Sequence, residues 1–326
     1  MATIKDVAAK ANVSISTVSY VLNNKKNVRV ETYNRVMGAV KDLGYQPNML
    51  ARGLRTKESK SIGVLIADIS NMYFTDIVLG IEKKANSLGY STIICNTENN
   101  PENEKKYLKT LINKNIDALV IVTSGSCFEL LKDIKDTPIA FVDSTRSDEY
   151  NYVWLDNQEG GYIATKHLID KGRRKIAIIS GPASLYSSLD RTKGYKKALS
   201  ENNIPYSENR FVETQFTYSG GYDATKELLR RGIEFDAVFA NNDLIAMGCI
   251  RALYEKGIKV PSDVSVIGFD DIEVTEIFIP ALSTIKQPRF KMGKRVAKIV
   301  IDRINNPDAP NAGEVFIPEL VVRETS

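Results

Sequence analysis

The chain opens with three short runs of apolar residues at helical spacing. Ile4, Val7, Ala8 and Ala11 make the first. A break at Asn12-Val13-Ser14 leads into the second, Ile15 to Asn23, for which Ser14 is a suitable N-cap. There Val18, Val21 and Leu22 form the apolar stripe, leaving Ser16, Thr17, Ser19 and Tyr20 on the opposite side or its flanks. The third starts at Glu31, carries Val36, Ala39, Val40 and Leu43, and stops at Gly44, a residue that suits a helix C-terminus. Two short helices joined by a tight turn, with a third to bury them, are the ingredients of a helix-turn-helix unit. An ordinary small helical subdomain with a solvated polar face is the alternative.

Pro47 to Arg55 differs. Pro47 suits a first helical turn, and Leu50, Ala51 and Leu54 give a short apolar face. Nine residues are too few for a stable isolated helix in water, and Gly53 weakens it by roughly 1 kcal/mol. The stretch is expected to be helical only when something packs on it; a plain linker is the other reading.

From Ser61 onward the pattern becomes strand alternating with helix, long enough for two compact units. Strands are predicted at Ile62–Ile66, Thr92–Cys95, Ala118–Val122, Ile139–Val142, Val153–Leu155, Lys175–Ile179, Ala237–Phe239 and Val264–Ile267. Helical stretches between them include Tyr73–Leu88, Glu102–Ile112, Gly221–Arg230 and Leu244–Lys256. This alternation implies parallel sheets with helices on both faces. A weak echo, GGYIATKHL from Gly160 and GGYDATKEL from Gly220, is consistent with repeated strand-helix units.

Small polar residues follow nearly every predicted strand: Asp68, Asn96, Thr123 with Ser124, Asp143, Asp156, Ser180, Asn241 to Asp243, and Asp270 with Asp271. Ligands of open parallel sheets bind outside the carboxyl ends of the strands. Some of these residues must instead be turn formers or helix caps. Two such sheets across a cleft suit a small polyhydroxylated molecule. Tyr73, Phe74 and Phe216 offer aromatic planes, and Arg191, in the stretch SGPASLYSSLDR expected to be a loop, offers a cation or a plain surface residue.

Charge sharpens the reading of the front end. The first sixty residues hold eleven Lys or Arg against four acids, a net +7 in a chain that totals +4. A basic head on a mildly acidic body is the layout of a protein that sends one end to a polyanion. Nucleic acid fits better than a membrane surface, because the polar side of Ile15–Asn23 carries small hydroxyls and one Tyr rather than a large apolar face.

The first fifty-five residues, with IKDVA, VSISTVS, VLN, LGYQPN and ARGLR, closely resemble the DNA-binding head of the LacI/GalR family of bacterial repressors. That resemblance implies that Ile15, Ser16 and Tyr20 reach base edges in the major groove, with Thr17 and Ser19 on phosphates. Many relatives carry Arg or His where Tyr20 stands, and a Tyr cannot read guanine bidentately as Arg does. It also implies that Pro47–Arg55 is a hinge helix paired with its dimer mate in the minor groove, Leu54 as the wedge and Arg55 as a groove or phosphate contact. The body resembles the family's effector domain, a fold shared with periplasmic sugar-binding proteins, through GFDD at Gly268, NND with AMG across Asn241–Gly248, and STIKQP at Ser283. The implied fold is α/β: an all-α head, residues 1–46, a hinge or linker, 47–60, and two doubly wound parallel subdomains. These are 61–158 with about 288–317, and 159–287 with about 318–326. The implied effector cleft is lined by Tyr73, Phe74, Asp143, Asp156, Arg191, Phe216, Asn242, Asp270 and Gln287.

The resemblance extends to the effector. Purine-sensing relatives carry an Arg six residues before the one matching Arg191; here Leu185 stands there, which argues against a purine. Relatives controlled by a phosphorylated carrier protein commonly have Lys in place of Arg191; a carbon catabolite regulator of that kind is the second expectation. The blocks CNTE, ALYEKG and DDIE look most like ribose-responsive members, so a pentose, ribose first, is expected. The expected assembly is a homodimer on a pseudo-palindromic double-stranded operator, since no heptad follows Pro318 to suggest a tetramer. Induction by the sugar is expected from the sugar-sensing relatives.

Other functions fit poorly. There is one histidine, His167, and no P-loop, GxSxG or GxGxxG, so an enzyme is not expected. Cys95, Cys127 and Cys249 are far apart and form no CxxC, so neither metal nor other cofactor is expected. A free-standing periplasmic sugar-binding protein would need a signal peptide, and Met1 leads into an amphipathic helix instead. No segment is long enough to span a membrane, and a cytoplasmic protein is expected.

Overall fold

Thr3 starts the first helix by a reciprocal cap: its hydroxyl accepts from the Asp6 amide, and the Asp6 carboxylate accepts from the Thr3 amide at 2.7 Å. This opens α1, Ile4–Ala11. Ser14 then caps α2, Ile15–Leu22, accepting from the Thr17 amide at 3.1 Å. α3, Val30–Asp42, ends as expected just before Gly44, whose φ of 56° is left-handed. The core between them is made of Val7, Ala8, Ala11, Val18, Val21, Val36 and Ala39.

The computed structural model describes residues 2–22, 28–45, 58–123, 128–132, 134, 136–144 and 149–326. It divides at Ser59 into two units, the head and the body. Pro47–Arg55, and with it Leu54 and Arg55, lies outside the described residues.

The body begins with β1, Ser61–Ile66, then α4, Met72–Ser87, β2, Ser91–Asn96, α5, Pro101–Asn113, β3, Ala118–Val122, α6, Phe128–Leu131, β4, Ile139–Val142, and β5, Asn151–Leu155. It continues with α7, Asn157–Asp170, β6, Ile176–Ser180, α8, Tyr186–Glu201, β7, Phe211–Glu213, α9, Tyr218–Arg230, β8, Ala237–Ala240, α10, Asp243–Glu255, and β9, Ser265–Ile267. The last elements are α11, Val274–Ile277, β10, Thr284–Lys286, α12, Arg289–Asn305, β11, Gly313–Phe316, and β12, Glu319–Val321. One sheet has six strands in the order β11-β5-β4-β3-β1-β2; another has four in the order β7-β6-β8-β9. Every pairing in both is parallel. β1, β3 and β4 are buried along their whole length, which is why they read as continuous apolar runs. A small antiparallel pair, β10 with β12, lies outside both sheets.

The chain leaves the six-stranded sheet after β5, returns to it from the four-stranded sheet by way of β10 and α12, and after β11 ends in β12 of the small pair. Asn157 and Gln287 lie in these passages, and Pro318 joins β11 to β12.

The sequence echo marks a repeated helix contact. A Cβ on Gly161 would lie 2.1 Å from the Arg191 carbonyl oxygen, and one on Gly194 2.0 Å from that of Gln158. In the second copy Gly221 faces the Ile245 carbonyl at 2.1 Å and Gly248 that of Tyr218 at 2.0 Å. So α7 with α8, and α9 with α10, cross with backbones in direct contact, which side chains would forbid. Thr165 and Thr225 repeat the likeness, each donating to the carbonyl of the matching glycine at 2.8 Å.

Candidate functional site

In the head, burial separates the faces of α2. Val18 and Val21 are inside, while Ile15, Ser16 and Tyr20 are exposed. Tyr20 is 52% exposed, so its ring is presented outward rather than packed. Ser16 and Thr17 sit at the helix start, their hydroxyls 3.0 and 2.9 Å from that of Ser14. The first turn of a helix presents amide N–H groups and a partial positive charge, which suits phosphate. Thr17 and Ser19 are half-buried beside it.

In the body, the carboxyl ends of the two large sheets bound a cavity of about 310 Å³. One wall comes from the ends of β1, β3 and β4 and the start of α4: Asp68, Tyr73, Phe74, Thr123 and Asp143 among others. The opposite wall comes from α8 and the ends of β7, β8 and β9: Leu185, Arg191, Phe216, Asn242 and Asp270. Tyr73, Phe74, Asp143, Arg191, Phe216, Asn242 and Asp270 are thus brought together from distant parts of the chain. Residues 124–127 and 145–148 lie outside the described residues.

Two expected lining residues are elsewhere. Asp156 caps α7, accepting from the Glu159 amide at 3.0 Å, and does not line the cavity. A strand-end Asp that opens a helix satisfies an orphan amide, and the pattern alone does not separate the two uses. Gln287 is also off the wall; its amide donates to Asp270 Oδ1 at 2.6 Å, so it holds a wall residue. Asn242 does both jobs: it caps α10, accepting from the Ile245 amide at 2.8 Å, and faces the cavity.

Arg191 is on a helix, not in a loop. α8 buries Ser188, Arg191, Tyr195 and Ala198, a helical spacing whose first members are polar and so leave no apolar signal. Its guanidinium, 3% exposed as a residue, donates to Asn157 Oδ1 at 2.8 Å and the Asn241 carbonyl at 2.5 Å. It stacks 3.7 Å from the centre of the Phe269 ring and lies 3.7 Å from Asp270 Oδ1. Asn157, which the sequence reading missed, ties this cation to the opposite wall by donating to Asp143 Oδ1 at 2.8 Å.

Burial governs the charges here. It pushes the Asp270 carboxyl up to about 6, against the pull of Arg191, Arg289 and Gln287. Burial likewise raises Asp143, against Arg191 and the hydrogen bonds from Leu155 and Asn157. Asp243, behind Asp270, is raised well above the usual carboxylate range by burial and by its neighbour's charge. The Tyr73 hydroxyl, raised by burial, is buried without a hydrogen-bond partner among the described residues. Such a site can accept hydrogen bonds from hydroxyls, donate through Arg191 and Asn242, and cover apolar faces with rings.

Residues 3–48 match the model of the bacterial regulatory proteins, lacI family, and residues 59–321 that of periplasmic binding proteins and the sugar binding domain of the LacI family. The chain belongs to the LacI family. It is a DNA-binding transcriptional repressor with a ligand-binding domain. Among full-length LacI-type relatives, the HTH-type transcriptional repressor PurR of Mannheimia succiniciproducens is 37% identical over 329 residues, covering 100% of this chain and 98% of that protein. The lac repressor dimer bound to operator and the anti-inducer ONPF superposes with a TM-score of 0.90 at 29% identity, covering 99% and 98% of the two chains. A LacI family regulator from Enterococcus faecium with bound ribose has a TM-score of 0.73 at 32% identity, covering 82% of this chain and 98% of that one. The relatives are repressors rather than enzymes. Among the described residues no helix is long and apolar enough to cross a membrane.

Proposed function

We propose that operator affinity is switched by a small neutral sugar held in the body cavity, a pentose with ribose as the first candidate. The carrying observation is the pairing of two buried carboxylates, Asp143 and Asp270, with Arg191 around a space of about 310 Å³ edged by Tyr73, Phe74 and Phe216. A carboxylate accepts from neighbouring hydroxyls, a guanidinium donates to ring and hydroxyl oxygens, and aromatic planes cover the C–H faces of a sugar. The likeness to a regulator with bound ribose supports the pentose.

A purine is the second reading, favoured by the PurR names of full-length relatives. A flat base would lie against the same rings, yet it offers fewer donors to two carboxylates. Leu185 on the wall gives such a base an apolar contact rather than a hydrogen bond.

In this reading Ile15, Ser16, Thr17, Ser19 and Tyr20 meet the duplex, with Leu54 and Arg55 in the minor groove. The body divides into 61–158 with about 288–317, and 159–287 with about 318–326. The protein acts in the cytoplasm as a homodimer on a pseudo-palindrome. Exposed apolar residues, Leu79 and Ile94 in one half and Ile277 and Ile279 in the other, supply area that a second copy would cover. The sugar acts only through its difference in affinity for two arrangements of the halves.

Calorimetric titration of the full-length protein with ribose, other pentoses, hexoses and purine bases tests the reading, followed by gel shifts with each binder. Heat with ribose and a lowered operator affinity are expected. Heat with a purine base alone moves the assignment to the second reading. No heat with either class, together with binding of a phosphorylated carrier protein, removes both.

A further inference from the structure

The hydrogen-bond network of the cavity runs past it to Arg289, a residue no motif singled out. Arg289 opens α12 directly after the second passage between the sheets, and it is 7% exposed. Its guanidinium donates twice to Asp76 Oδ2, from Nε at 3.0 Å and from Nη2 at 2.7 Å. The same group donates from Nη1 to the Asp270 carbonyl oxygen, and from Nη2 to that of Asp271 at 3.0 Å. Asp76 sits on α4, which packs with the six-stranded sheet; Asp270 and Asp271 follow β9 of the four-stranded one. One cation therefore spans both halves of the body.

The backbone it grips needs holding. Asp270 has a φ of 114° and Asp271 a φ of 54°, in the region L side chains rarely adopt. Gln287 holds the Asp270 carboxylate and Arg289 its carbonyl, while the Asp270 amide donates to the Ile285 carbonyl at 2.8 Å. A guanidinium is a rigid planar fork, so the bonds to Asp76 and to the two carbonyls persist together in one arrangement of the halves.

We propose that Arg289 is a positioning residue that sets the cavity carboxylate of Asp270 and, through Asp76, ties occupation of the cavity to the placement of the two halves. The proposal rests on the reading of the cavity as an effector site. Sliding the halves breaks one set of its bonds, so the latch weights one arrangement over the other. Asp76 does not line the cavity, and its side chain is 45% exposed, so its replacement alters the latch without touching a ligand or emptying the core.

The test uses the full-length protein, D-ribose as probe, and a palindromic operator selected in vitro against the wild type. Asp76→Asn, Arg289→Lys, Arg289→Gln and the double variant Asp76→Asn/Arg289→Gln are compared. Asp76→Asn is expected to change ribose affinity, and operator affinity without any ligand, by about fivefold or more. Arg289→Gln should have the larger effect, Arg289→Lys a smaller one, and the double variant less than the sum of its parts. If Arg289→Gln does not fold, Asp76→Asn carries the test alone. Wild-type affinities for both partners in Asp76→Asn overturn the latch, as does strict additivity in the double variant. A wild type that ignores ribose removes the sugar reading instead, and the ligand-free operator measurement then decides the latch by itself.

Discussion

The head and the body place their proposed functional residues in opposite ways. In the head they are near neighbours on one short helix: Ile15, Ser16 and Tyr20 are exposed and Thr17 and Ser19 half-buried, around the buried Val18. In the body they are scattered from Tyr73 to Asp270 and face inward, with Arg191 and Asp270 almost wholly buried. An outward site on a local element depends on the fold only for orientation. An inward site depends on every strand end and helix that brings it together, and its charges are tuned by burial that no local segment provides.

The two cores differ to match. That of the head is made of valines and alanines, whereas the body buries Phe141, Tyr195, Phe239 and Phe269. The largest effect should come from breaking the smaller core. Val18→Asp places a charge where exposure is zero, at a cost of several kcal/mol, about what a small unit has in total. Gel shifts should show operator binding lost by more than about hundredfold, while calorimetry shows ribose affinity unchanged. A parallel loss of ribose binding would end the claim that the two regions are separable.

Next comes Asp270→Asn, which keeps the shape and the tolerance of left-handed backbone but removes the charge. Sugar affinity is expected to fall by more than about tenfold, with operator binding retained and the sugar response gone. Gly161→Ala should cost about 1–3 kcal/mol in denaturant unfolding, because its methyl would meet the Arg191 carbonyl and push α8 from α7. Sugar affinity should fall with it, since Arg191 rides on α8; an unchanged affinity would show that the glycine contact does not position the cation.

A pH series sharpens the same contrast. Burial raises Asp270 to about 6, so the folded body holds that proton more tightly than the unfolded chain does. The stability it contributes is present at low pH and is lost as pH rises from about 4 through about 6. Sugar binding should run the other way, because hydroxyls need the ionised acceptor: about tenfold weaker at pH 5 than at pH 7, with the dependence reduced in Asp270→Asn. The smallest effect is in the head. Thr3→Ala removes the reciprocal cap and should cost about 1 kcal/mol of head stability by thermal melting, leaving ribose affinity untouched.

Much of the architecture was legible in the pattern. The buried strands stood out because parallel strands covered on both faces are continuous apolar runs, as β1 and β3 are. α8 was not, because its buried stripe begins with Ser188 and Arg191, polar residues buried against partners supplied by other segments. The strand-end rule brought forward Asp143 and Asp270 for the cavity, but also Asp156, which serves a helix. Arg289 followed no rule at all; its four hydrogen bonds reach α4 and the loop after β9, and nothing near it in the chain announces them.

Local order along the chain therefore determined most of the elements, the basic front end, the outward face of α2 and the family, since each rests on residues within a few positions of one another. Tertiary structure alone decided which strand-end polar residues face the cavity, which cap helices, and how one buried cation spans both halves. The reason is physical: hydrogen bonds and ion pairs in a buried network join groups far apart in the chain, and burial sets their strength only after the fold has closed over them.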